Sequence, residues 1–333
     1  MMRRAMISRR RVLGIFAAAP GLALPGAASP SEAPLVTWRG PVLGGLGHIT
    51  LHHPDRRAAD RLISAAVAEI SRLEAQCSLW REDSHLSELN RHGVLVAPPP
   101  ETVELLSRAL AIAAVTGGVF DPTVQPLWKL YSSHFGVRDA DPGGPPRQAV
   151  EAALALVGYR DLLVSRDRVL LGKRGMALTL NGIAQGYLTD RIVALLRDGG
   201  IARTLVDLGE TRALGTHPAG RPWHAVLDDP EAPGRGWAEV DLADRALASS
   251  GDAGFVFDEA GRFTHLLDPR TGRSPRLHRA VSVLAPEAAL ADALSTGFAL
   301  MPESVIAAIL PDLQDVEVLL LRHDGTSVRL PAG

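Results

Sequence analysis

The order of the predicted helices and strands limits the fold class that this chain can adopt. Amphipathic or apolar periodicity predicts helices over residues 56–77, 101–116, 184–196 and 288–301. Strands are predicted over residues 48–51, 176–180, 204–208, 223–227, 238–242, 263–267, 316–321 and 327–330. Because helices and strands do not alternate strictly, the order favours an α+β fold, with mixed sheets and packed helices, over a doubly wound parallel sheet.

Two turn signals refine this assignment. Asp324-Gly325 predicts a hairpin turn between the last two strands, and Ser84 is a candidate N-cap for a short helix. The glycines of Gly44-Gly45-Leu46-Gly47 precede an apparent strand instead of joining a strand to a helix. The stretch therefore lacks the context that a dinucleotide-binding fingerprint requires.

The length and charge of the chain limit its organisation and its partners. With 333 residues, 46% of them hydrophobic, the chain can bury one large core or two joined lobes. We expect a single catalytic domain over residues 29–333, with an exposed Gly/Pro-rich insertion near 139–146. Beyond residue 28 there are 30 basic and 37 acidic residues and no basic block, which argues against a nucleic-acid partner.

Residues 1–28 have the features of an export signal. Five arginines and no acidic residue occur there, and Arg9-Arg10 precedes a short apolar run that ends in small residues. We predict a twin-arginine signal peptide cleaved near Ala28 and a periplasmic location; the alternative is a basic N-terminus that arose by chance. Cys77 is the only cysteine, so an intramolecular disulfide cannot form.

The predicted helix over residues 288–301 carries the strongest candidate for chemistry. Asp292 and Thr296 are four residues apart and share one face of that helix. A carboxylate and a hydroxyl there offer the hard oxygen ligands that Mg²⁺ or Ca²⁺ prefers. The structural alternative is that Thr296 bonds back to a helix carbonyl while Asp292 faces solvent.

Asn181-Gly182 is predicted to form a strand-to-helix turn. The N–H groups at the start of a helix attract phosphate or carboxylate, and glycine allows a ligand to approach the backbone closely. Trp80 lies at the head of a polar turn, where it is either a core anchor or a stacking surface for an aromatic ligand.

Seven segments together resemble the ApbE family of FAD:protein FMN transferases. In order they are CSLWREDSHLSELNR, GGVFDPTVQPLW, LNGIAQGYLTD, LVDLGE, ASSGD, HLLDPRTGRSP and ADALSTGFALM, and they extend from about Cys77 to Met301. Two of them look most like the branch encoded beside nitrous-oxide reductase genes. The resemblance implies a T-fold-like α+β fold and Mg²⁺-dependent transfer of FMN from FAD to a Thr or Ser hydroxyl of an exported or membrane flavoprotein, with release of AMP.

The resemblance also implies the functional residues. The Mg²⁺ ligands would be Asp292, Thr296 and the backbone carbonyl of Gly182. The implied FAD contacts are Leu43, Trp80, Val119, Phe120, Asp121, Thr179, Gln185 and Leu267. Family members often carry Asp at the position of Thr179, Lys or Glu at Gln185, and Gly-Gly at Gly209-Glu210, so these positions leave FAD affinity and acceptor choice open.

His265 is the candidate general base, since histidine ordinarily titrates near neutrality and can accept a proton from a hydroxyl. The alternative is a structural histidine that holds the turn at Asp268. Two other functions compete with flavin transfer: a periplasmic FAD carrier, and a metal-dependent FAD pyrophosphatase that yields FMN and AMP. A carrier would need neither the metal pair nor His265, whereas water and a threonine hydroxyl could attack the same phosphorus.

Overall fold

The computed structural model describes Leu13–Gly14, residues 35–252 and residues 254–332. The predicted signal peptide therefore lies outside the described residues, apart from that first dipeptide. The helices are α1 Arg56–Cys77, α2 His85–His92, α3 Pro100–Val115, α4 Gln125–Phe135, α5 Arg147–Leu154, α6 Ala184–Asp198, α7 Ala288–Phe298 and α8 Glu303–Ile309. The helix prediction over residues 56–77 matches α1, and Ser84 caps α2 by accepting the N–H of Ser87.

Apart from two short 3₁₀ helices, Tyr159–Asp161 and Leu310–Asp312, antiparallel strands form the rest of the regular structure. They are β1 Leu13–Gly14, β2 Leu35–Val42, β3 Gly45–His52, β4 Val94–Val96, β5 Leu162–Val164, β6 Arg168–Leu171, β7 Thr204–Asp207, β8 Thr211–Leu214, β9 Trp223–Asp229, β10 Ala232–Leu242, β11 Ala246–Gly251, β12 Ala280–Ala285, β13 Glu317–Leu321 and β14 Ser327–Leu330. An eight-stranded sheet has the order β14-β13-β12-β11-β8-β7-β3-β2. Two three-stranded sheets, β1-β9-β10 and β4-β6-β5, complete the α+β architecture.

The large sheet is covered on both faces. Alternate residues of β11 divide between two buried clusters: Ala246 and Ala248 join the main core, while Leu247 joins a second cluster with Trp223 and Leu242. The main core holds the apolar residues of α1, α6 and α7, and the second cluster holds those of β9 and β10. This alternation follows from the two-residue period of a strand.

Two of the predicted strands are wrong. Residues 176–180 belong to no strand or helix. The side chain of Asn90 takes the place of a neighbouring strand, since its Nδ2 donates to the carbonyl of Leu178 and its Oδ1 accepts the N–H of Leu178. Residues 263–267 form only an isolated bridge between Val256 and Thr264.

The glycine-rich stretch also differs from its prediction. Gly45 and Gly47 lie within β3, which pairs with β2, and Leu43-Gly44 forms the connecting turn with positive φ at both residues. The hairpin at Asp324-Gly325 is confirmed, with β13 paired to β14. Residues 139–146 lie between α4 and α5 and are mostly exposed.

In the described part of the chain, no helix is both long and apolar enough to cross a bilayer.

Candidate functional site

Helices α6 and α7 bring the three predicted metal ligands together. Asp292 and Thr296 lie one turn apart on α7, and Asp292 is 4% exposed. A Cβ placed on Gly182 would lie 2.9 Å from Thr296 Oγ1, so the turn before α6 is in contact with that hydroxyl. The N–H of Gly186 donates to Asp292 Oδ2 at 3.0 Å. Asp292 is therefore buried against α6 and does not lie on a solvent-facing side of the helix.

The start of α6 lies at the same place, and its first N–H groups have protein acceptors. Those of Ile183 and Ala184 donate to the Leu180 carbonyl, and that of Gly186 donates to Asp292. Residues 181–183 form a turn, the helix begins at Ala184, and the residue at its N-cap, Ile183, has no side-chain capping bond. Residues 176–180 are not a strand, so the turn at 181–183 joins an irregular segment to α6.

A cavity of about 280 Å³ opens beside this turn. Its lining includes Trp80, Trp128, Lys129 and Asn181, the residue that precedes Gly182. Trp80 is 60% exposed, so it is a wall of the cavity and not a core anchor. Two indole rings and a lysine give the cavity flat apolar surfaces and positive charge, which suit an aromatic ligand bearing phosphate.

The other predicted FAD contacts lie in two different environments. Gln185 is buried, and its Nε2 donates to the Leu208 carbonyl at 3.3 Å. A Cβ on Gly209 would lie 2.0 Å from that nitrogen, so a larger residue at position 209 would clash with the side-chain amide of Gln185. Leu43 is half-buried at a positive φ, and its N–H donates to a carboxylate oxygen of Glu74.

The segment around Asp121 is held by its own contacts. Val119, Phe120 and Asp121 are buried, and burial raises the pKa of the Asp121 carboxyl. That carboxylate accepts hydrogen bonds from the hydroxyl and N–H of Thr123 and from the N–H of Tyr159. Its side chain therefore shapes the loop. These contacts account for Asp121 without a ligand.

Thr179 and Leu267 complete the predicted set. Thr179 accepts the N–H of Asn181 on its hydroxyl at 3.2 Å, so it supports the turn beside the cavity. The Leu267 side chain is 4% exposed and packs with Leu127 and Tyr131. The structure thus places Thr179 near the metal-ligand turn and buries Leu267 in a small apolar cluster.

His265 makes two contacts with one backbone carbonyl. The Phe255 oxygen accepts from the His265 N–H at 2.9 Å and lies 3.0 Å from the ring Nδ1. A carbonyl can only accept, so Nδ1 carries a proton and Nε2 carries the lone pair of the neutral ring. The turn at Asp268 is held instead by Arg270, through its N–H and its guanidinium. The role of His265 as a base stays a prediction.

An aromatic contact links His265 to the cavity. The ring of Trp128, which lines the cavity, stacks on Phe255 with a centroid separation of 5.9 Å and an angle of 29°. Phe255 is the residue whose carbonyl orients His265. The wall of the cavity and the orientation of the imidazole therefore depend on the same residue.

The sequence model of the ApbE family matches residues 43–320, which is most of the chain. The chain belongs to the ApbE family. It is 27% identical to the FAD:protein FMN transferase of Haemophilus influenzae, covering 95% of this chain and 94% of that protein. It is 31% identical to the FAD:protein FMN transferase of Treponema pallidum, over 88% of this chain and 85% of the relative.

Solved ApbE structures have the same fold. The ApbE protein of Thermotoga maritima superposes with a TM-score of 0.79 at 28% identity, covering 89% of this chain and 97% of that one. The apo form of the Pseudomonas stutzeri flavinyl transferase ApbE gives 0.75 at 26% identity, with 90% and 95% covered. The predicted α+β fold and the family assignment are confirmed, whereas the branch within the family stays a prediction.

The residues present fit the Mg²⁺ that the ApbE resemblance implies. A carboxylate, a hydroxyl and a backbone carbonyl are all hard oxygen donors, and the close approach of Thr296 to Gly182 requires a residue without a Cβ. Among the residues that the structure describes, no group of three or more His, Cys, Asp or Glu side chains could hold a metal. A site built from one carboxylate, one hydroxyl and one carbonyl would not form such a group.

The sequence predictions left out several residues that the structure places in the cavity or in the α6–α7 contact. Trp128 ends the motif GGVFDPTVQPLW and Lys129 follows it, whereas Asp190 ends the motif LNGIAQGYLTD. The motifs therefore contained two of these residues, but nothing in a linear motif shows which of its members reach the site. The packing of α4 beside the cavity and of α6 against α7 decides this.

Proposed function

We propose that the chain transfers FMN from FAD to a threonine or serine hydroxyl of an acceptor flavoprotein and releases AMP. The observation that carries the proposal is the convergence of Gly182, Asp292 and Thr296 at the start of α6, beside a cavity with two indole walls. Curated relatives that align over most of this chain are named FAD:protein FMN transferase, which supports the same activity.

The chain's own groups divide the work of this reaction. Asp292, Thr296 and the Gly182 carbonyl would hold Mg²⁺, which when bound neutralises negative charge on the pyrophosphate. Lys129, which lines the same cavity, would supply positive charge for the phosphate groups. The indole rings of Trp80 and Trp128 offer stacking surfaces for the flavin. The Phe255 carbonyl sets the ring of His265 so that Nε2 accepts the hydroxyl proton.

The bond changes balance with these groups. The acceptor oxygen forms a bond to the phosphorus on the flavin side of the pyrophosphate. The bond from that phosphorus to the bridging oxygen breaks, and AMP leaves with that oxygen. The hydroxyl proton passes to His265 Nε2. Water in place of the hydroxyl would give FMN and AMP instead of a flavinylated protein.

We further propose that the chain acts in the periplasm after export by the twin-arginine route. The support is the Arg9-Arg10 pair, the short apolar run after it and the small residues near Ala28. Substitution of both arginines by lysine should abolish the appearance of the protein in the periplasmic fraction. Normal periplasmic yield of that variant would contradict the route.

Flavin transfer is tested by incubating the chain with FAD, Mg²⁺ and a candidate acceptor domain that contains a threonine flavinylation site. Mass spectrometry of the acceptor reports the added FMN, and chromatography reports AMP. Transfer predicts equal amounts of both, and Asp292→Asn should abolish both while the variant retains its fold. AMP without modified acceptor would identify a pyrophosphatase, and FAD binding without either product would identify a carrier.

A further inference from the structure

Helices α6 and α7 meet in a regular antiparallel register. Three contacts occur at steps of four residues along α6. Gly182, just before the helix, faces Thr296, and the N–H of Gly186 donates to Asp292. Four residues later, Asp190 accepts the N–H of Ala288. On α7 these partners are also four residues apart, in descending order. The first two pairs contain the predicted metal ligands, and the third pair lies at the opposite end of the contact.

Asp190 makes the third pair through a buried carboxylate. Its Oδ1 accepts the N–H of Ala288 at 2.8 Å and its Oδ2 accepts the N–H of Ala289 at 2.9 Å. Arg212 of β8 also donates to Oδ1. Asp190 is 9% exposed. The side chain thus joins α6, α7 and the large sheet at one point.

Helix α7 depends on this carboxylate for its N-terminal cap. Its own N-cap residue, Glu287, makes no side-chain capping bond, and the Glu287 carboxylate pairs with Arg108. The first four N–H groups of a helix need partners from outside the helix, and a carboxylate is favoured there by the helix dipole. Asp190 supplies two of these bonds from a different helix.

We propose that Asp190 is a positioning residue for the metal ligands: by capping α7 from α6, it fixes the rotation and axial position that bring Asp292 and Thr296 to Gly182. One residue of helical slip rotates a side chain by about 100° and shifts it by about 1.5 Å. A displacement well below that would move the Thr296 hydroxyl away from Gly182. The proposal rests on the proposed function, because it concerns how the metal ligands of that reaction are held.

The test uses Asp190→Asn in the full mature chain. Asparagine keeps one carbonyl oxygen for a backbone N–H but loses the second acceptor and the charge that pairs with Arg212. We expect the Mg²⁺ concentration for half-maximal flavinylation to rise about 10- to 100-fold, the usual effect of removing a group that supports metal ligands. Hydrogen exchange of the peptide that begins α7 should accelerate, with or without Mg²⁺, and the rise in melting temperature caused by Mg²⁺ should shrink.

Asp55→Ala is the matched control. Asp55 likewise accepts two backbone N–H groups at a helix N-terminus, those of Arg57 and Ala58 in α1, but it takes no part in the α6–α7 register. It should lower the melting temperature and leave the Mg²⁺ requirement unchanged. If Asp190→Asn does not fold, Arg212→Lys keeps the carboxylate while weakening its ion pair, and it should raise the Mg²⁺ requirement to a smaller degree.

The outcomes separate this proposal from the proposed function. A folded Asp190→Asn variant with the wild-type Mg²⁺ requirement and unchanged exchange in α7 overturns the positioning role. The positioning role is also overturned if Asp55→Ala raises the Mg²⁺ requirement as much as Asp190→Asn does. If Asp190→Asn does not fold, an Arg212→Lys variant with the Mg²⁺ requirement of the wild type overturns it. A wild-type protein that needs no Mg²⁺ for transfer refutes the metal assignment itself, and this is measured before any variant.

Discussion

The carbonyl oxygen of Ala288 lies so close to Gly186 that a methyl group on Gly186 would be 2.2 Å from it. The obstacle is backbone, which cannot rotate aside, so α6 and α7 would have to separate. Gly186→Ala should therefore lower the free energy of unfolding by about 1–3 kcal/mol and raise the Mg²⁺ requirement. Chemical denaturation measures the first effect. Gly143→Ala, whose methyl group would meet only the side chain of exposed Asp141, is the control. Equal behaviour of the two variants would contradict the tight helix contact.

The hydroxyl of Thr296 can be tested apart from its volume. Thr296→Val keeps the size of the side chain and removes the oxygen, whereas Thr296→Ser keeps the oxygen. We expect the Mg²⁺ concentration for half-maximal AMP release to rise roughly tenfold or more in the valine variant and to change little in the serine variant. Titration of initial rates against Mg²⁺ makes the comparison. If serine and valine behave alike, Thr296 serves packing and not metal binding.

His265→Asn should separate binding from transfer. The asparagine amide can still donate to the Phe255 carbonyl, but it cannot accept a proton as Nε2 does. We expect near-normal FAD affinity by fluorescence quenching and a transfer rate lower by about 10²- to 10⁴-fold, with loss of the acid limb of the rate profile.

Gly254→Ala tests the same base without removing it. A methyl group on Gly254 would lie 2.4 Å from His265 Cε1 and must displace the ring. Transfer should fall while FAD binding persists. A parallel loss of affinity in both His265→Asn and Gly254→Ala would show that His265 is structural.

The exposed indole of Trp80 should contribute to FAD affinity. Trp80→Ala removes one wall of the cavity and should weaken binding by about 0.5–1.5 kcal/mol, while Trp80→Tyr, which keeps a flat ring, should retain most of the affinity. Fluorescence titration with FAD gives both values. Leu163→Ala removes a comparably exposed apolar side chain from β5 and should change nothing. Equal losses for Trp80→Ala and Trp80→Tyr would contradict stacking.

His278 should make the fold sensitive to acid. Burial lowers its pKa from the ordinary value of about 6.5, and its Nε2 lies 2.7 Å from the Met301 carbonyl, to which a ring N–H donates. Below about pH 6.5 the unfolded chain takes up a proton that the folded chain resists, so stability falls as the pH falls towards the folded-state pKa. His278→Gln should flatten this loss, measured as the difference in melting temperature between mildly alkaline and mildly acidic buffer. An unchanged difference would exclude His278 as the cause.

Five helices, α1, α2, α3, α6 and α7, were predictable because their signals are local, whereas α4, α5 and α8 were not predicted. A long apolar period defines α1, and a side-chain cap defines the start of α2. The strand prediction over residues 176–180 failed because the partner of that segment is the amide of Asn90, distant in sequence. Strands such as β4, with three residues, are too short for alternation to be visible.

The site was predictable only as a set of separate motifs. The pairing of Asp292 with Thr296 follows from helical spacing, since both lie on α7. Their meeting with Gly182 and Gly186 depends on how two helices pack, which no spacing within either helix determines. Asp190 illustrates the same limit: its sequence context is an ordinary helix, and its two amide partners belong to another one.

The loop that carries His265 begins and ends at one place in the large sheet. Gly251 and Ala280 are directly opposite each other in the pairing of β11 with β12. The entropy of closing such a loop depends only weakly on its length, so residues can be gained or lost between these two positions without disturbing the strands. A single residue gained within the paired stretch of α6 or α7 would instead turn the following side chains away from their partners. Changes of length are therefore tolerated in the loop that carries His265, whereas α6 and α7 must keep their lengths.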